Sequence, residues 1–186
     1  VRDDANASNL VLALPLVGVK EDVHHLIKGS GSAKSVTANG NAAAAYEKSN
    51  FYSGSFEFDG NGDYLQIPNN TDFQFGTGDW TIEFWWNGSA SGSYTAIITT
   101  LVSSDESGTW RIGTRFNSTN KLYFARGTGS GFTDRLIDVN VNDGKWHHIA
   151  FVRSSGTIIP FVDGVNRTAD LANGNLDDSN TMTTTN

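Results

Sequence analysis

A chain of 186 residues, 38% hydrophobic and 11% aromatic, supplies one core of the size found in single β-sandwiches, which often run to about 200 residues. Its formal charge of −7, without clustered Lys and Arg, argues against nucleic acid as a partner and leaves a neutral glycan or a basic surface easier to accommodate. Cysteine is absent, so stability rests on burial and backbone pairing, and no apolar run approaches the roughly 20 residues that would insert into a membrane.

Val1 to Asn9 reads as a polar N-terminal arm, and a start at Val1 suggests a processed product or a segment of something longer. The apolar run Leu10 to Leu16 suits a strand, with Pro15 placing its end at an edge or bulge. Lys34 to Ala38 is a plausible short strand, and Ala42 to Ala45 a helical turn that no apolar stripe continues. Next, Phe56 and Phe58 alternate with Ser55 and Glu57, Asp59-Gly60-Asn61-Gly62-Asp63 supplies turn residues, and Tyr64-Leu65-Gln66-Ile67 follows. This pattern predicts a β-hairpin, since Asp-Gly and Asn-Gly pairs reach the positive φ angles of tight reversals.

Trp80 to Asn87 alternates with period 2, which sends Trp80, Ile82, Phe84 and Trp86 to the core and Thr81, Glu83 and Trp85 to the other face. Further strands are expected at Thr95 to Val102, Trp110 to Phe116, Lys121 to Arg126, Arg135 to Val141, Trp146 to Arg153 and Thr157 to Asp163. Their even spacing, with no intervening helical pattern, favours an antiparallel sandwich or barrel, with Phe56, Phe58, Phe84 and Phe161 between its layers. From Ala172 to Asn186 only Leu176 and Met182 serve as apolar anchors, and the segment reads as a polar C-terminal extension.

Two stretches carry a family resemblance: GSFEFDGNGDYLQIPNNTDFQFGTGDWTIEFWWN (Gly54 to Asn87) and DGKWHHIAFVRSSGTIIPFVDGV (Asp143 to Val165). In this order they resemble the laminin-G-like, concanavalin A-like lectin/glucanase jelly-roll modules, over roughly Leu10 to Arg167. The resemblance implies an all-β fold, a two-sheet antiparallel jelly-roll sandwich spanning residues 10–171, between an arm at 1–9 and an extension at 172–186. Similar modules occur on phage virion appendages and bacterial surface proteins. Relatives usually finish with a glycine-rich strand and a G.ID.VRI segment, so the expectation is a sandwich that misses its closing strand or borrows it from another chain. Many relatives also carry an acidic residue that helps hold a structural calcium where this chain reads Leu14-Pro15-Leu16.

Asp59, Asn61 and Asp63 have the alternate oxygen spacing of a calcium loop, but Tyr64 and Asn70 stand where an EF-hand needs glycine and glutamate. A solvated turn is their first reading and calcium the open alternative, so no cofactor is expected otherwise. His147 and His148, adjacent on one strand, point to opposite faces and cannot chelate one metal from that segment; His24 and His25 share the limitation if extended. Glycosidases need two carboxylates across a sugar, yet Thr81 and Trp85 flank Glu83, and Asp105-Glu106 lies in a Ser/Gly-rich loop. No nucleophile elbow, P-loop or dinucleotide fingerprint restores an enzyme, so no catalytic residue is expected.

Sugar binding has a physical basis in aromatic rings that stack on pyranose faces beside polar groups that bond the hydroxyls. Trp85 with Glu83 is the best candidate, and Tyr94, Trp110 and Tyr123 are weaker ones. The expected role is a non-catalytic adhesion or decoration module on a virion or an extracellular or cell surface, with contacts from loops such as Gly88 to Tyr94 and Ser103 to Thr109. The alternative is a purely structural protein that docks to other virion or surface subunits without recognising a glycan.

Overall fold

The computed structural model describes residues 5–89, 94–100, 109–115, 121–127 and 132–172. Internal contacts group the chain into two compact units, Val1–Asn69 and Asn70–Asn186.

In the first unit the expected strand at Leu10 to Leu16 does not form: Leu16 sits at φ 52°, and the segment is held by single bonds instead of a ladder. Ala13 donates its N–H to Asp22 Oδ1 (3.1 Å) and accepts that of Val23 (2.9 Å). Asp22, 1% exposed, also accepts the N–H groups of His24 (3.0 Å) and Lys34 (2.8 Å) and bonds His24 Nδ1 at 2.6 Å. His24-His25 therefore opens a short helix, α1 (His24–Lys28), instead of an extended segment, and α1 stops at Gly29, whose φ of 77° suits a residue without Cβ.

Four three-residue strands follow: β1 (Thr37–Asn39), β2 (Ala43–Ala45), β3 (Ser55–Glu57) and β4 (Tyr64–Gln66). The alanine run is a strand and not a helical turn, because β2 pairs antiparallel with β3. The expected hairpin is replaced as well. Gly60 and Gly62 do take positive φ (82° and 80°), but β4 pairs with β1, so the strands on either side of the turn enter different sheets. Asp63 explains the rearrangement: its carboxylate accepts the N–H of Asn41 at 2.7 Å and that of Asp59 at 2.9 Å, which draws the loop towards the β1–β2 connection. Phe58, expected inside, is 40% exposed.

The second unit holds two four-stranded antiparallel sheets. One runs in the order β12 (Val165–Asn166), β11 (Thr157–Val162), β10 (Trp146–Ser154), β5 (Trp80–Asn87). The other runs β6 (Tyr94–Thr99), β7 (Trp110–Arg115), β8 (Lys121–Gly127), β9 (Phe132–Asn140). Together they form the antiparallel β-sandwich, consistent with a concanavalin A-like fold. Alternation along each strand puts one set of side chains inside. Trp80, Ile82, Phe84 and Trp86 of β5, with Ile149, Phe151, Ile158 and Val162, pack with Trp110, Ile112, Leu122, Phe124 and Ile137 in one core. Trp80, Phe124 and Trp110 stack in sequence, with centroids 6.1 and 6.5 Å apart.

Arg153 is also turned inward and is 4% exposed; its guanidinium bonds the carbonyls of Thr77 and Gly78, which fixes the entry into β5. Among the described residues, no helix is long and apolar enough to cross a membrane.

Candidate functional site

With four alternate residues of β5 committed to the core, Thr81, Glu83 and Trp85 must face outward. Trp85 is 45% exposed. The β5–β10 register sets His148 directly opposite it, with ring centroids 5.2 Å apart and planes inclined by 50°. Glu83 reaches the same imidazole, with Oε2 3.6 Å from Nε2, and keeps most of its carboxylate in water. Beyond them, Val152, Ile159 and Phe161 share this face by register and are half-buried. Phe161 thus lies outside the sandwich core, opposite Ala150. Trp85, Glu83 and His148 combine an apolar ring, an acceptor and a polar ring edge in one patch. Sequence reasoning paired Trp85 with Glu83 by strand parity and missed His148, since only the register between strands brings it there.

His147 takes the other side of β10 and links two turns. Its Nδ1 lies 2.8 Å from Asp163 Oδ2 and its Nε2 lies 3.0 Å from Asp143 Oδ1. An imidazole with a carboxylate at each nitrogen satisfies both only as the doubly protonated cation. Partial burial works to lower its pKa, but the bonds to Asp163 and Asp143 outweigh this and raise it above 6.5. In return Asp143 is held at about 2, by the His147 ring first and the Lys145 N–H next. Asp163 is also lowered, its desolvation outweighed by His147 and by the His148 N–H. The adjacent histidines therefore serve different sites, one a carboxylate clamp and one a neighbour of Trp85.

On the outer face of the second sheet, Tyr94 is 44% exposed and Tyr123 only 1%. Their rings meet edge to face at 5.6 Å. The Arg115 guanidinium lies 4.8 Å from the Tyr94 ring centre and contacts Asp134 at 3.3 Å, while that of Arg111 lies 5.9 Å from the Tyr123 ring centre. Trp110 corrects the sequence reading: at 4% exposure, and stacked on Phe124 in the core, it has no ring face for a ligand. Tyr123 likewise offers no exposed ring for stacking: it is 1% exposed and packs close to Gly113 of the neighbouring strand.

Asp59 and Asp63 converge on Asn41, and Asn61 bonds Asp59. Asp59 accepts from the Asn61 N–H (2.7 Å) and the Asn41 side chain (3.2 Å), which lowers its pKa, and Asp63 accepts the two N–H groups described above. Each carboxylate oxygen of Asp59 and Asp63 thus accepts a bond, two from N–H groups of the turn and two from Asn41. Among the described residues, no group of three or more His, Cys, Asp or Glu side chains is arranged to hold a metal ion. Asp105-Glu106 lies outside the described residues, as do most of the two loops expected to vary.

Comparison with known families matches residues 59–185 to the family described as the concanavalin A-like lectin/glucanases superfamily. The matched segment is more than half of the chain and contains both eight-residue β5 and the β10–β11 pair that build the Trp85 face.

Proposed function

The chain belongs to the concanavalin A-like lectin/glucanase superfamily, and we propose that it is a non-catalytic module for adhesion or decoration at a virion or cell surface, acting through carbohydrate. A domain of this superfamily fits a carbohydrate-binding or adhesion role. The single observation that carries the finer reading is Trp85, a large ring left 45% exposed between an imidazole and a solvated carboxylate. Its face supports the apolar side of a pyranose, Glu83 accepts sugar hydroxyls, and His148 limits how the ring can turn.

Catalysis is not part of the proposal. Hydrolysis needs a second carboxylate across the bond, but Ala150 stands opposite Glu83, with Thr81 and Trp85 beside it on the same face. No resident cofactor is required either, given the carboxylate bonding of the Asp59 to Asp63 turn. A melting midpoint that falls on adding a chelator would return calcium to the account.

A glycan array tests the central claim, with saturable binding that Trp85→Ala removes as the supporting result. A second reading, docking to other subunits, is favoured by apolar side chains in water on the first unit: Tyr52 is 89%, Leu26 70% and Tyr46 69% exposed. Failure to bind any glycan, together with stable self-assembly, would select it.

A further inference from the structure

We infer a second ligand site, on the outer face of the β6–β9 sheet, that binds a carboxylate-bearing sugar through Arg115, Tyr123 and Tyr94. It is independent of the Trp85 face. The register places Tyr94 beside Arg115 and Tyr123 beside Gly113, so these groups share one side of three adjacent strands.

Two buried donors on this face lack an acceptor among the described residues: the Nε–H of Arg115 and the hydroxyl of Tyr123. Buried polar groups are almost always bonded, to protein, water or ligand, so an acceptor brought to this face gains from both donors. Burial also raises the Tyr123 pKa, against the pull of the Arg111 charge, so the phenol remains a donor.

The other charged groups facing outward here are Arg111, Lys121, Asp134 and Asp138. Asp134 holds one terminal nitrogen of Arg115, and Asp138 lies 3.4 Å from Lys121 Nζ. Three cations against two carboxylates leave the face positive on a chain whose net charge is −7. A planar carboxylate matches the guanidinium edge that carries Nε–H. Tyr94, 44% exposed with Arg115 on one side, adds a ring for the sugar body. A uronate unites both features.

The reason to keep a hydroxyl at position 123 is then binding, since Phe would fill the same space over Gly113 without an orphan donor. Calorimetric titration of the full chain with oligogalacturonate, and with the same oligosaccharide after carboxyl reduction, tests the proposal. Saturable binding is expected for the acid form, with the reduced form, Tyr123→Phe and Arg115→Lys each weaker by about tenfold or more, the size of a lost charge-assisted bond. Tyr123→Phe should melt no lower than the wild type. No saturable uronate binding, equal binding of the reduced sugar, insensitivity to both variants, or acetate competing as well as the oligosaccharide would each overturn it.

Discussion

Tyr123 lies so closely across Gly113 that a Cβ at position 113 would come within 2.8 Å of the phenolic oxygen and 2.0 Å of the Thr95 carbonyl oxygen. The second contact is with backbone, so a side chain there must push β6 away from β7. Gly113→Ala is therefore expected to destabilise the protein by about 1–3 kcal/mol, the usual cost of overpacking. A lower urea midpoint checks this, and reduced amide protection concentrated in Tyr94–Thr99 and Trp110–Arg115 would locate it.

Trp85 gives the opposite pattern. With its ring 45% exposed and outside the core, Trp85→Ala should change the melting midpoint little. Glycan affinity should fall by about tenfold or more, or about 1.4 kcal/mol, because a stacking platform is lost. Glu83→Gln, which keeps shape and removes charge, should weaken binding less than Trp85→Ala. Comparable glycan affinity in wild type and Trp85→Ala would remove this ring from the site.

The sandwich strands were legible because their signal is local. Trp80 to Asn87 announces β5 by alternation alone, and Ser155-Gly156 marks the reversal between β10 and β11. In the first unit, strands of three residues pair across other segments, and no period can be read from three positions. Asp22 organises that unit through backbone bonds to positions nine residues before and twelve after it, which leaves no sequence pattern. At the site, parity alone turned Glu83 and Trp85 outward, whereas His148 needed the register with β10. Trp110 misled because the aromatic residue type suggested a platform, although its alternation with Ile112 and Thr114 already marked the buried face.

Asp22 supplies a stability test specific to the first unit. Burial works to raise its pKa, but the N–H groups of Lys34, His24 and Ala13 and the His24 ring outweigh this and hold it at about 2, below the ordinary 3.8. A carboxylate depressed on folding stabilises above its unfolded pKa, so this contribution, on the order of 2 kcal/mol, is present at neutral pH. It should fade as pH falls from about 4 towards 2. Asp22→Asn should remove that acid transition and speed amide exchange at Ala13, His24 and Lys34.

The His147 clamp has a stability limit on its acid side and another on its alkaline side. The raised His147 pKa means that its contribution is complete below 6.5 and lost as pH rises through the higher folded value. For Asp143 and Asp163 the sign reverses: their contribution is complete above 3.8 and declines as pH falls, for Asp143 towards about 2. Lys145 beside Asp143 and Arg167 near Asp163 also favour the charged form of the two carboxylates. The melting midpoint should therefore be highest between these limits and fall on the alkaline side as His147 loses its proton. His147→Gln, which offers one amide where the imidazolium bonds two carboxylates, should lower the midpoint near neutrality and flatten that alkaline decline. NMR titration should place the His147 midpoint above 6.5; a value at or below it would mean that neither aspartate bonds the ring in solution.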